Sequence, residues 1–413
     1  MLRNLTTTGF KSLTDLSVDL GRLTVLFGPN AAGKSNVIDA LQVLSAVATR
    51  RTIEDALGPP VRGYPVEMFT LPDGGLDDLL SRPSALFRLG TDIDRTAGAR
   101  DERFRYHIEI EIVPRTGVVT NAGEELWKLT REGAHWGNAR IDQEGGRFTV
   151  RANRQGHPRY VDPPINYALV SDPTLRAPYY RDIEAVRSEL QSWRSYYLDP
   201  ASAMRSAAPP SEVEDIGPRG EHLAPFLYRL ANEFPERFDA VRRAVRRVIP
   251  TLRDIEVELD TRRASIDLLV RQNGVRFSSR VMSEGTLRVI ALACIAATPF
   301  PAGLVAVEEP ENGVHPRRVE VVARFLAETA RASQVVVTTH SPTFLAEMLG
   351  IARESPPTGI VFLACVQEAG RTVLRPFPDP GPLLTDKDVA AALTERSEEA
   401  VIEAMYVRGW LDG

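Results

Sequence analysis

Residues 28–36 read Gly-Pro-Asn-Ala-Ala-Gly-Lys-Ser-Asn, which fits the pattern G-x-x-x-x-G-K-S/T at every defined position. A loop of this kind needs a buried strand before it and a helix after it, and the flanks supply both. Residues 23–27 (Leu-Thr-Val-Leu-Phe) are a short apolar run, and Val37, Ile38, Leu41 and Leu44 recur at helical spacing. Gly28 and Gly33 permit a tight turn whose N–H groups converge on phosphate oxygens, aided by the positive end of the helix. Lys34 is expected to reach the β and γ phosphates of a nucleoside triphosphate, and the Ser35 hydroxyl to bind Mg²⁺. Asn30, Gly33 and Asn36 complete the expected nucleotide contacts. Lys34 is one of four lysines among 50 Lys and Arg residues, so the choice of lysine here departs from the habit of the chain.

Three further elements of nucleotide chemistry follow in the C-terminal half. Residues 281–288 (Val-Met-Ser-Glu-Gly-Thr-Leu-Arg) open a helical apolar run. A Ser-x-Gly turn there reads either as an anion-binding helix start or as a plain N-cap at Ser283. Residues 303–307 (Gly-Leu-Val-Ala-Val) read as a buried strand ending in Glu308-Glu309-Pro310-Glu311-Asn312-Gly313. Carboxylates at the C-terminal end of a core strand lie where ligands bind in open α/β sheets. Glu308 is expected to hold Mg²⁺ through a water, and Glu309 to orient and deprotonate the attacking water. Residues 334–339 (Gln-Val-Val-Val-Thr-Thr) form another apolar strand, followed by His340, whose ring can donate to a γ phosphate. A helix expected over residues 316–330 makes the two strands a crossover unit, so the acids and His340 share one sheet edge.

The length suits two or three domains, or one with a large insertion. A net charge of -5 and a pI near 5.8 exclude a wholly basic nucleic-acid binder while allowing a local basic groove. No apolar run approaches about 20 residues and the N-terminus passes directly into strand-like sequence, so neither a membrane span nor a signal peptide is expected, and the expected location is cytoplasmic. Cys294 and Cys365 sit in apolar surroundings and read as small core residues. Between the two halves, residues 104–113, 125–130 and 147–151 alternate like strands, and a helix is expected over 181–193. Residues 200–220 read as a mobile connection. Arg242, Arg243, Arg246 and Arg247 put a basic stripe on a helix over 238–248. The stripe serves either DNA phosphates or, on a solvated face, Glu233, Glu236 and Asp239. No heptad run supports a long coiled coil.

On these residues the chain resembles the ABC-type ATPases of the SMC, RecF and OLD group, and more specifically stand-alone AAA-family ATPases with a RecF-like fold. The resemblance is carried by Gly9-Phe10-Lys11-Ser12, the phosphate loop, Ser283-Glu284-Gly285-Thr286, residues 308–316 and Thr339-His340-Ser341-Pro342. Residues 220–250 and the ending 408–413 add to it. It implies an α/β P-loop NTPase with a mixed sheet, interrupted by a β-rich and helical arm. It also implies an ATP sandwich in a homodimer, where Ser283 and Gly285 of one protomer complete the nucleotide site of the other. Two positions depart from the pattern. Glu308 stands where Asp is usual, and Ser-Glu-Gly-Thr replaces the transporter form of the signature. No glutamine loop for Mg²⁺ can be placed, since Gln42 lies within the phosphate-loop helix and residues 53–80 contain no glutamine.

The expected organisation is an N-terminal ATPase lobe over 1–165, a helical arm over 166–250 and a C-terminal ATPase lobe over 251–413. The stretch after His340 is too short for the nuclease-like Toprim domain of many OLD proteins. The expected activity is Mg²⁺-dependent hydrolysis of ATP by a dimer switch acting in DNA repair or in defence against foreign DNA. DNA and a separately encoded effector such as a nuclease are the candidate partners. The alternative is an ATP-bound scaffold of little turnover that holds such an effector.

Overall fold

The computed structural model describes residues 1–97, 100–154, 156–354 and 359–377; the likeness at 408–413 lies outside them. At the centre is a six-stranded sheet. Its order is Arg194–Tyr196, Leu304–Glu308, Gln334–Thr339, Leu23–Phe27, Ile360–Glu368, Arg371–Pro376, parallel throughout except for the last strand. The three middle strands of this site region are buried at every residue. Such uninterrupted apolar runs belong to strands covered on both faces. Because side chains alternate along a strand, Leu26, Leu304, Ala306 and Val336 face a core shared with the helix Lys34–Thr49. Val25, Val305, Val307, Val335 and Val337 face the opposite core, shared with helices Glu284–Ala297, Val319–Ala332 and Pro342–Glu354.

An eight-stranded antiparallel sheet packs on the first of these cores. Its order is Leu13–Asp19, Leu2–Phe10, Ala85–Ala97, Arg100–Val113, Val118–Leu129, Ile141–Glu144, Arg147–Val150, Arg159–Val161. The alternation expected at 104–113 is realised: Phe104, Tyr106, Ile108, Ile110 and Ile112 are buried and the residues between them are partly exposed. The β-rich middle therefore extends the N-terminal hairpin directly, through Leu2–Phe10 paired with Ala85–Ala97. Gln334 joins the two sheets. Its amide accepts from Leu2 N (2.8 Å) and donates to Leu2 O (2.7 Å) and Gly21 O (2.8 Å), as a strand would. A three-stranded meander over Leu252–Asp260, Ser265–Gln272 and Val275–Ser278 packs on helices Leu223–Glu233 and Pro235–Val248.

Two expectations need correction. Residues 200–220 are anchored at several points although much of the stretch is exposed: Met204 and Ile216 are buried, Arg205 Nη2 donates to Met282 O, and Ala208 bridges to Ile266. A stretch rich in Ala, Ser and Pro still anchors where a few apolar side chains reach the core. On the arginine stripe, Arg242 grips Asp254 with both Nε (2.6 Å) and Nη2 (2.5 Å) and also meets Asp239, while Arg246 reaches Asp254. Glu233 pairs instead with Arg229. The unforeseen Asp254 comes from the neighbouring strand, so it follows no helical spacing. Both cysteines are buried and free, and burial raises both thiols, Cys365 to about 12. Among the described residues, no helix is long and apolar enough to cross a membrane.

Candidate nucleotide-binding site

The parallel register brings the motifs together. Thr338 pairs with Glu308 and with Leu26, and Thr339 with Phe27, so the phosphate loop, Glu309 and His340 all leave the same edge of the sheet. Gly33, at φ 93°, lies where a Cβ would come within 1.9 Å of Thr372 Oγ1, and a Cβ on Gly28 would lie 2.2 Å from Cys365 O. Glycine is required at both places by close approach as well as by backbone conformation. Asn36 Nδ2 donates to Ser12 Oγ (2.7 Å), which lies 2.6 Å from Thr372 Oγ1, and Thr372 in turn donates to Ala32 O. This chain of side chains braces the loop from behind. Asn36, expected to contact nucleotide, thus spends its amide on the brace, while Asn30 is exposed at the loop tip.

Lys34 Nζ folds over its own loop and donates to Gly28 O and Pro29 O, both at 2.8 Å. Burial lowers its pKa, while Glu309, Glu311 and Glu308 among its neighbours act to raise it. Ser35 Oγ donates to Glu308 Oε2 at 3.0 Å. Burial pushes the Glu308 carboxyl up to about 7 against the pull of Arg62. Arg62 carries no motif and was not foreseen. Its guanidinium bridges Glu308 (Nη2 to Oε1, 3.1 Å) and Asp39 (Nη2 to Oδ1, 3.1 Å) and donates to Ser35 O (2.9 Å). Burial works against this cation, yet Asp39 and Glu308 more than offset it and its pKa rises. Lys11, from the Gly-Phe-Lys-Ser stretch, holds the other oxygen of Asp39 at 2.6 Å and the carbonyl of Arg62 at 2.8 Å.

The donors at Ser35 and Glu308 are hard oxygens, 3.0 Å apart, suited to a divalent cation of the Mg²⁺ type. Among the described residues no group of three acidic, His or Cys side chains could hold a metal alone. The fit is therefore to a cation shared between these two residues and a nucleotide's phosphates, the usual arrangement for Mg²⁺.

Glu309 sits at φ 41°, an uncommon conformation for this residue type, fixed by its N–H donating to Thr338 O (3.0 Å). Its Oε2 accepts from Asn312 Nδ2 at 2.5 Å, and its Oε1 lies 3.0 Å from His340 Nδ1. Since a carboxylate only accepts, Nδ1 carries the proton of that contact. Neighbouring Glu311 is buried, accepts from Thr339 Oγ1 at 2.5 Å, and among the described residues its Oε2 has no hydrogen-bond partner. Burial raises its pKa, opposed by the Thr339 bond.

Ser283 is not joined to this cluster. It is exposed and caps the helix Glu284–Ala297, accepting from Thr286 N at 3.2 Å. A Cβ on Gly285 would fall 2.2 Å from Gly313 O, so the helix start is pressed against the loop that follows the acidic strand.

A phosphate loop, an acidic strand and a histidine strand on one edge of a mixed sheet define an ABC/SMC-like P-loop ATPase fold. The family model described as "AAA domain, putative AbiEii toxin, Type IV TA system" matches residues 23–346, and the chain belongs to that family. Among solved structures, the SMC head bound to the C-terminal winged-helix domain of ScpA is similar at a TM-score of 0.51 and 13% identity, over 91% of this chain and 98% of that one. The SMC head domain from Thermotoga maritima aligns at a TM-score of 0.41 and 14% identity, over 92% and 99% of the two chains. No curated protein matches the sequence.

Proposed function

We propose that this chain is a Mg²⁺-dependent ATPase that works as an ATP-closed homodimer in defence against foreign DNA or in DNA repair. The observation that carries the reading is the convergence of Lys34, the Ser35–Glu308 pair and the Glu309–His340 pair on one sheet edge. Gly33, Lys34 and Asn30 would hold the phosphates, Ser35 and Glu308 the metal. Mg²⁺ would supply charge neutralisation at the β and γ phosphates. Glu309 is the general base for the attacking water, and His340, bonded to it, orients that carboxylate and faces the transferred phosphoryl group. Exposed Ser283, with the half-buried Gly285 beside it at a helix N-terminus, offers anion-binding groups to the second protomer. The family's description as a putative toxin of a type IV TA system supports a defence role.

A second reading has its own support. Glu309 is tied to Asn312 and His340, and Arg62 occupies both Glu308 oxygens. A site so self-satisfied favours slow turnover, as in a scaffold that holds its effector while ATP stays bound. Steady-state ATP hydrolysis, with and without duplex DNA at two salt concentrations, separates the two. The switch predicts DNA-stimulated, salt-sensitive turnover that Lys34→Ala and Glu309→Gln both reduce by 100-fold or so, with ATP binding retained only in Glu309→Gln. Unstimulated, negligible turnover with ATP bound supports the scaffold.

A further inference from the structure

A cavity of about 660 Å³ lies at the far end of the phosphate-loop helix, where Lys34–Thr49 meets the helix Arg181–Gln191 and the preceding loop. Arg50, Arg51, Arg176 and Arg187 line it, against the two carboxylates Asp172 and Glu184. Both acids are engaged elsewhere. Asp172 accepts from Thr174 and pairs with Arg159, and Glu184 accepts from Ala177 N at 3.0 Å. Arg187 is 8% exposed and spends Nε and Nη2 on the carbonyls of Val170, Asp172 and Leu175, fixing the wall in place. Arg50, Arg51 and Arg176 are exposed and have no ion-pair partner among the described residues.

Cations after a helix C-terminus ordinarily serve its last carbonyls. Here part of that duty falls to groups other than the arginine side chains. Ala46 O accepts from Arg50 N, Ser45 O from Thr49 Oγ1, and Ala48 O from Gln191 Nε2. Three exposed guanidinium groups thus line the cavity without an ion-pair partner among the described residues, while its two carboxylates are engaged elsewhere. Guanidinium forks match phosphate oxygens bidentately, and the volume falls within the roughly 300–1,000 Å³ of small-molecule sites.

We propose that this cavity binds a phosphate-bearing small molecule of mononucleotide size, at a site separate from the phosphate loop. A cavity of this volume suits a free nucleotide or oligophosphate. The site does not depend on the ATPase reading.

The test is calorimetric titration of the full-length chain carrying Lys34→Ala, which silences the phosphate loop, with sodium tripolyphosphate and with AMP. Binding of at least one probe is expected, weakened at least tenfold when Arg50→Ser, Arg51→Ser and Arg176→Ser are added. The corresponding triple lysine variant should recover part of the affinity, since charge is kept and the fork is lost. In the Lys34-intact chain the triple serine variant should leave basal ATP hydrolysis unchanged, which separates failure of this site from failure of the catalytic one. Absence of binding by both probes at millimolar concentration, or equal affinity with and without the arginines, overturns the proposal. So does an arginine-dependent affinity for a short DNA duplex with none for the small phosphates.

Discussion

Arg62 holds Asp39 and Glu308, the latter bonded to Ser35, without belonging to any nucleotide motif. Asp39 is 1% exposed and Glu308 5%, and removing a cation that bonds two buried acids leaves them with fewer partners. Arg62→Gln should therefore destabilise the nucleotide-free protein by about 1–3 kcal/mol, less than for a fully buried pair because Arg62 itself is half exposed. Mg²⁺ with ATP should restore part of the loss by putting positive charge beside Glu308. Denaturant midpoints with and without Mg²⁺ and ATP measure both effects, and an unchanged midpoint in the nucleotide-free variant would remove Arg62 from this role. The residue was illegible because its role comes from a loop folding back over the helix. Lys34, Ser35, Glu308 and His340 were legible because strand register alone puts them on one edge. Asn36 lies between the cases: its neighbourhood was readable, but its amide turns to Ser12, a partner far away in sequence.

At the scale of elements, the strand Val118–Leu129 is tied to the segment Leu169–Ser171 by one buried carboxylate, and that segment packs on the phosphate-loop helix. Glu124 accepts from Leu169 N (2.6 Å), Val170 N (2.8 Å), Asn121 Nδ2 (2.7 Å) and Tyr106 Oη (3.1 Å). Burial raises its pKa to about 7, although all four donors act to lower it. With the folded value above the unfolded one, its contribution to stability is complete below about pH 4.5 and is lost as pH rises through 7. The full change is on the order of 3 kcal/mol. Glu124→Gln should abolish that slope, so the stability difference between wild type and variant should shrink as pH rises from 5 to about 7.5. It should also cost about 1–3 kcal/mol, because an NH₂ would face the donors at one oxygen. Urea unfolding across the pH range tests this, and parallel pH profiles for the two proteins would contradict it. The strand was visible from its alternation; the tie was not, because a lone Glu in a strand gives no sign of which backbone it will meet.

For the whole molecule, the sequence-level reading captured the mixed α/β class and the crossover around the acidic strand. It did not reveal how the β-rich middle joins the rest, since the pairing of Leu2–Phe10 with Ala85–Ala97 crosses a long stretch of chain. The same topology sets up the test of the dimer. Ser283 is exposed and makes no contact with Lys34 among the described residues, and in the proposed ATP sandwich it would complete the site of a second chain related head to tail. In that arrangement Lys34→Ala and Ser283→Arg are each inactive alone, since each spoils both sites of its homodimer. Mixed, they form a heterodimer in which one site carries both lesions and the other carries neither. Random pairing makes about half of the dimers mixed, each with one of its two sites intact, so an equimolar mixture should regain about a quarter of wild-type ATP turnover. Should Ser283 instead act within its own chain, the mixture would stay at the level of the two separate variants. The recovery should also fall with dilution, because only associated chains can share a site.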